Sequence, residues 1–252
     1  MNSSLKGTDF TKQAQLCRAA SSWPCPALVF ETAAARRLMA LLVLCALAFA
    51  FGMVGPAHAQ SLAKARQGDL VLIVGDSLSA EYGLVRGKGW VALLQERLAK
   101  DKPAAQVINA SISGDTTSGG RSRLPALLRQ HQPSVVVIEL GANDALRGLP
   151  LDMTEQNLRA MTDAAQSAGA RVLLVGMQVP PNYGRAYSDA FAGLFPKVAR
   201  ATQVALVPFF LKGVADIDNA AKLFQSDRIH PNESAHPIML ANVWPELRKL
   251  LK

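Results

Sequence analysis

The chain has 252 residues, of which 50% are hydrophobic, 18% charged and 6% aromatic, a balance that excludes disordered and collagen-like chains. Its net charge of +8 is scattered without a run of Lys or Arg, so no nucleic-acid partner is expected. The three cysteines, Cys17, Cys25 and Cys45, all precede residue 60, which excludes a disulfide scaffold, a cysteine zinc site and a cysteine nucleophile from everything after it.

The first element in chain order is an export leader. Arg36 and Arg37 precede an uncharged run from Leu38 to Val54, which ends in Gly55-Pro56-Ala57-His58-Ala59. A basic head, an apolar middle and a small-x-small end are the three parts of a signal peptide. Cleavage is expected after Ala59, releasing a chain that starts at Gln60 into the periplasm or the medium. A membrane-spanning anchor is the rival reading, because about 17 uncharged residues is the lower limit for a span. The small-residue end favours cleavage. Cys45 follows Leu44 and not a small residue, which argues against a lipoprotein. The arginine pair lies far from Met1, so either the head is long or translation starts nearer Arg36. Residues 1–59 are therefore an extension with a leader, and 60–252 a single domain, large enough to bury about 70% of its unfolded surface.

Asp69–Gly75 is a short apolar run closed by glycine, the pattern of a buried strand. Trp90–Lys100 carries a helical apolar face. Gln106–Ile112 reads as a second strand, and a helix follows from near Ser118 to Gln130. Ser134–Leu140 is a third strand, β-branched and nearly uncharged. Thr154–Ala168 is a helix, with Gly169 suited to its C′ position. Arg171–Gly176 is a fourth strand. Tyr187–Thr202 is a helix expected to be disturbed at Pro196. Val204–Val207 is a fifth strand, and a helix from Ser234 to Leu251 is expected to break at Pro237 and Pro245. Apolar strands alternating with helices imply a parallel five-stranded sheet covered on both faces, a three-layer α/β/α fold. Sites in such sheets form beyond the carboxyl ends of the strands. The chemistry is therefore expected near residues 75–82, 112–120, 140–148 and 176–186.

The polar clusters fall there. Gly75-Asp76-Ser77-Leu78-Ser79 follows the first strand, and Asn109–Thr117 (NASISGDTT) spans the end of the second. Glu139–Gly148 (ELGANDALRG) follows the third, and Ile229–Asn232 (IHPN) lies near the C-terminus. Each alone is a weak signal. Together, and with Leu124–Leu128 (LPALL), Pro181–Arg185 (PNYGR) and Val207–Phe210 (VPFF), they resemble the SGNH (GDSL) hydrolases over residues 69–250. Within that family the likeness is to the bacterial periplasmic thioesterase I / lysophospholipase / arylesterase group. The resemblance implies a flavodoxin-like SGNH hydrolase fold.

The resemblance also implies a role for each block. Ser77 is the nucleophile, His230 its general base and Asp227 the residue that orients the base. The Ser77 and Gly114 N–H groups and the Asn143 amide hold the oxyanion. These residue types suit the chemistry. A serine hydroxyl needs a base to take its proton. Histidine titrates near working pH, and a carboxylate on its second nitrogen fixes the tautomer. His236, with Glu233 three residues before it, is an alternative base. Asp76 is expected to shape the nucleophile turn, and Asp115 and Asp144 to order loops. Glu139, inside a buried strand, needs a partner or a proton, and Arg123 and Arg147 are candidates. His131 is expected to be exposed at a helix end.

Two positions depart from the family pattern. Glu81 and Arg228 stand where many relatives have glycine, and Arg228 could pair with Asp227. The segment 178–187 reads as a loop lining an acyl groove, with Val179, Pro180 and Tyr183 as substrate contacts. No cofactor or metal is expected, since residues 60–252 contain no Cys/His cluster. The expected activity is that of a secreted serine esterase on acyl esters or thioesters, meeting a membrane only during export or through lipid substrates. A carbohydrate acetyl esterase is the rival enzyme, and a non-catalytic lipid- or glycan-binding module the rival of another class.

Overall fold

A computed structural model describes residues 68–252. The leader assigned to residues 1–59 lies outside them. Five strands form one parallel sheet: β1 (Leu70–Gly75), β2 (Gln106–Asn109), β3 (Val135–Glu139), β4 (Arg171–Val175) and β5 (Ala205–Val207). Their order is β2-β1-β3-β4-β5, the flavodoxin-like arrangement, whose switch point lies between β1 and β3. Every residue of β1 and β3 is buried, as continuous apolar runs require when helices cover both faces. β2 and β5 are the edges and are only partly covered.

The helices between them are α1 (Trp90–Asp101), α2 (Thr117–His131), α3 (Ala142–Leu146), α4 (Leu151–Ser167), α5 (Arg185–Thr202) and α6 (His236–Lys249). α3 was not expected, and α4 begins three residues earlier than its pattern suggests. The helix breaks expected at proline do not occur. Pro237 sits in the first turn of α6, where no N–H is needed. Pro196 and Pro245 lie inside helices that continue through them. Their neighbours Phe195, Val198, Val243, Trp244 and Leu247 are all buried, so packing offsets the lost backbone bond. β2 stops at Asn109, short of Ile112. The Asn109 side chain accepts from Ser111 N–H at 3.1 Å and donates to the Ser79 carbonyl at 2.7 Å, which turns the chain toward the site.

At the amino end of the sheet, Asp69 accepts from Ser134 Oγ and pairs with Arg171, joining β1, β3 and β4. That end is closed by structure, and the polar loops lie at the other.

Candidate active site

Ser77 lies two residues beyond β1, in a turn that Asp76 builds. Asp76 Oδ1 accepts the Leu78 N–H at 3.0 Å, and the Asp76 carbonyl takes the Ser79 and Ala80 N–H groups. Ser77 Oγ stands 3.0 Å from His230 Nε2. His230 Nδ1 stands 2.6 Å from Asp227 Oδ2. With Asp227 accepting at Nδ1, the proton sits there and Nε2 is left as an acceptor for the serine hydroxyl. Asp227 Oδ1 accepts the Ile229 and His230 N–H groups at 2.9 and 3.0 Å. These backbone bonds, then the imidazole, hold its carboxyl down at about 2, so it is ionised throughout the neutral range. Arg228 makes no ion pair with it among the described residues; its φ of +58° serves the tight turn between acid and base.

Three strand ends supply the donors. The Ser77 and Gly114 N–H groups have no acceptor among the described residues. Gly114, at φ +77°, is held through its carbonyl by Arg147 at 2.8 Å. Arg123 pairs with Asp115 at 2.8 Å and also reaches the Ala110 and Gly75 carbonyls, fixing the Gly114 loop to β1. Asn143 opens α3, but its amide is not idle. Nδ2 donates to Asp76 Oδ2 at 3.1 Å and to the Asp115 carbonyl at 2.9 Å. Both hydrogens are thus engaged in the resting site. Asp144 accepts from Thr117 N–H at 2.8 Å and from the Thr117 and Thr154 hydroxyls, tying α3 to α2 and α4.

Neither arginine partners Glu139. β3 ends beside Gly75, and Glu139 Oε2 accepts from Ser79 Oγ at 2.7 Å and Asp76 N–H at 3.3 Å. A side chain at position 75 would crowd it, since a Cβ there would lie 2.8 Å from that oxygen. Burial, then the neighbouring Asp76, drives the Glu139 carboxyl well up. Burial likewise pushes Asp76 up to about 7, so this pair holds a proton rather than an arginine. The sequence shows that Glu139 needs a partner or a proton; the partner comes from a turn 60 residues away.

His236 is no rival base. It is buried, and its Nδ1 accepts the Trp90 N–H at 3.0 Å, capping α1 from the first residue of α6. Burial pushes its pKa down, so it stays neutral. His131 ends α2 half-buried, less open than expected. The groove-lining segment is also revised. Pro181–Tyr183 forms one turn of 3-10 helix and α5 begins at Arg185, so no long loop is present. Val179 turns into the core at 9% exposure and leaves little surface for a substrate. Pro180 and Tyr183 are exposed, with Tyr183 stacked on Tyr187 at 6.2 Å. Tyr82, not singled out from the sequence, packs its ring against His230 at 4.4 Å. An aromatic five residues after the nucleophile was the only signal it offered.

The family model for GDSL-like lipases and acylhydrolases matches residues 73–238. The chain belongs to the GDSL-like lipase/acylhydrolase family. It is accordingly an ester hydrolase. Esterase TesA of Pseudomonas aeruginosa is 52% identical over 72% of this chain and 89% of its own length. The Escherichia coli K12 thioesterase 1/protease 1/lysophospholipase L1 is 43% identical over 75% of this chain and 88% of its own. The crystal structure of TesA superposes with a TM-score of 0.69, covering 72% of this chain and 99% of the other. These matches span 88–99% of the relatives' own lengths.

Proposed function

We propose that the chain is a secreted serine esterase that hydrolyses acyl esters or thioesters through an acyl-enzyme, with aryl esters, acyl-thioesters and lysophospholipids as its substrate classes. The observation that carries this is the contact line Ser77 Oγ–His230–Asp227, at 3.0 and 2.6 Å. His230 Nε2 takes the Ser77 proton as Oγ attacks the acyl carbon. The carbonyl electron pair moves onto oxygen, and the Ser77 and Gly114 N–H groups stabilise that charge. Asn143 joins them by sharing or redirecting one of its two N–H donors, since a bond to the oxyanion is stronger than the one it makes at rest to the neutral Asp115 carbonyl. Collapse expels the alkoxide or thiolate, which takes the proton from His230. Water then repeats the sequence on the acyl-Ser77 ester and regenerates the hydroxyl.

Two relatives support the substrate classes by their names, esterase and thioesterase/lysophospholipase. The exposed Tyr183 and Pro180 offer the acyl chain an apolar contact beyond β4. The test is a panel of p-nitrophenyl esters of increasing acyl length with an acyl-thioester and a lysophospholipid, beside labelling by a fluorophosphonate. Turnover of esters with label on Ser77 is expected. Activity confined to acetylated sugars would move the substrate class to carbohydrate, and absence of labelling would leave a binding module.

A further inference from the structure

The stretch between the nucleophile turn and α1, residues 81–89, has no regular structure of its own, yet one side chain closes it. Glu81 has φ +59°, a left-handed backbone that a side chain disfavours. Its carboxylate reaches forward over the loop. Oε1 accepts the Gly89 N–H at 2.8 Å, and both oxygens stand 3.1 Å from the Gly87 N–H. Gly89 is the N-cap of α1 and has no side chain to cap with, so the Glu81 carboxylate also lies at the positive end of that helix. A Cβ on Gly89 would meet Glu81 Cγ at 2.6 Å, so the bare glycine is what lets the carboxylate in.

The residue held at the start of this closed loop is Tyr82. Its ring covers His230, centroid to centroid 4.4 Å, at a tilt of 39°. Its carbonyl accepts from Gln225 Nε2 at 2.9 Å, which also donates to the Pro231 carbonyl at 3.0 Å, while Gln225 N–H donates to the His230 carbonyl at 2.7 Å. The loop and the base-bearing segment are thereby one unit. An imidazole bonded to a carboxylate at one nitrogen can still swing about that bond. A flat ring packed on its face removes that freedom.

We infer that Glu81 is a positioning residue for the general base: by closing the 81–89 loop it holds Tyr82 on the His230 ring and keeps Nε2 aimed at Ser77 Oγ. Glu81 bonds to neither Ser77 nor His230. The inference rests on the roles proposed for those two residues.

The test is a double-variant cycle on the full chain, read by kcat on a soluble p-nitrophenyl ester and by the rate at which a fluorophosphonate labels Ser77. Glu81→Gly frees the backbone at this φ and removes the carboxylate, so its melting temperature is expected to hold. Its kcat and labelling rate are expected to fall about tenfold with KM unchanged, since misplacement of about 1 Å can cost up to 10²-fold. Glu81→Gln keeps an acceptor oxygen and should retain most of the rate. Tyr82→Ala should lose about as much as Glu81→Gly, and the double variant no more than the greater single loss. Parental rates in Glu81→Gly would overturn the inference, as would losses that multiply in the double variant. A parent that labels at Ser77 but turns over none of the esters would refute the substrate classes alone, because the labelling series still reads the base.

Discussion

At the scale of the residue, the site separates groups that react from groups that only shape. Ser77→Ala and His230→Ala are each expected to lower kcat on the order of 10⁶-fold, and Asp227→Ala about 10⁴-fold, because the carboxylate orients without itself reacting. Stopped or single-turnover assays on folded protein check the order of the three. Asn143 poses a sharper question, since both of its hydrogens are engaged at rest. If it serves the charge that develops on the substrate oxygen, Asn143→Ala should lower kcat by roughly 10²–10³ with KM little changed. A normal kcat with a fallen melting temperature would make it a brace between Asp76 and the Asp115 carbonyl. Glu81 and Arg228, the two departures from the glycine that the resemblance leads one to expect, both have left-handed backbones. At φ +59° and +58°, glycine is the residue without penalty.

At the scale of the element, α1 is anchored from outside itself. Its first residue, Trp90, is fully buried, packs edge-on against Phe210 at 5.6 Å and donates its indole N–H to Ser79 Oγ at 3.1 Å. Its backbone N–H is capped by His236, 146 residues away. Ser79 in turn donates to Glu139, so nucleophile turn, α1, α6 and β3 meet in one buried polar chain. His236→Ala removes a buried acceptor and leaves an orphaned N–H, which costs about 1–3 kcal/mol. Thermal melts should show that loss while kcat at saturating ester stays within a few-fold of the parent. Loss of turnover with an unchanged melting temperature would instead make His236 the base.

At the scale of the whole molecule, two carboxyl sites pull stability in opposite directions with pH. Asp227 is held down at about 2, so its contribution is present above its ordinary 3.8 and is lost as pH falls toward 2. The Asp76–Glu139 pair is pushed up, so the folded chain keeps a proton that the unfolded chain releases above about 4. The contribution of Asp76 declines as pH rises from about 4 through 7, and that of Glu139, whose carboxyl burial also pushes well up, declines in the same direction. The melting temperature is therefore expected to fall between pH 5 and pH 8, and Glu139→Gln to flatten that fall. A parent curve that is flat over this range would mean the pair ionises freely. The proposed export belongs to the same scale. Protein recovered from a bacterial periplasm should begin at Gln60 on N-terminal sequencing, whereas exported, membrane-bound protein retaining residues 1–59 would mark an anchor.

Sequence alone determined what depends on neighbours along the chain. The short, β-branched apolar runs from Leu70 and Val135 read as buried strands, and the polar blocks after them as strand ends, because length, composition and punctuation are local properties. The parallel sheet and the positions of Ser77, Gly114 and Asn143 at its carboxyl edge follow from that. Tertiary structure alone decided everything that depends on a distant partner. Ser77 and His230 are 153 residues apart, and only the fold brings them to 3.0 Å. For Glu139 the sequence left open an arginine partner or a proton, and the choice fell only when β1 and β3 set it beside Ser79 and Asp76. His236 resembled a base until α6 turned it under Trp90, and Val179 a substrate contact until the end of β4 turned it inward. A side chain's type is written in the sequence, but its environment, which sets its charge, its bonds and its exposure, is built from segments that the sequence keeps apart.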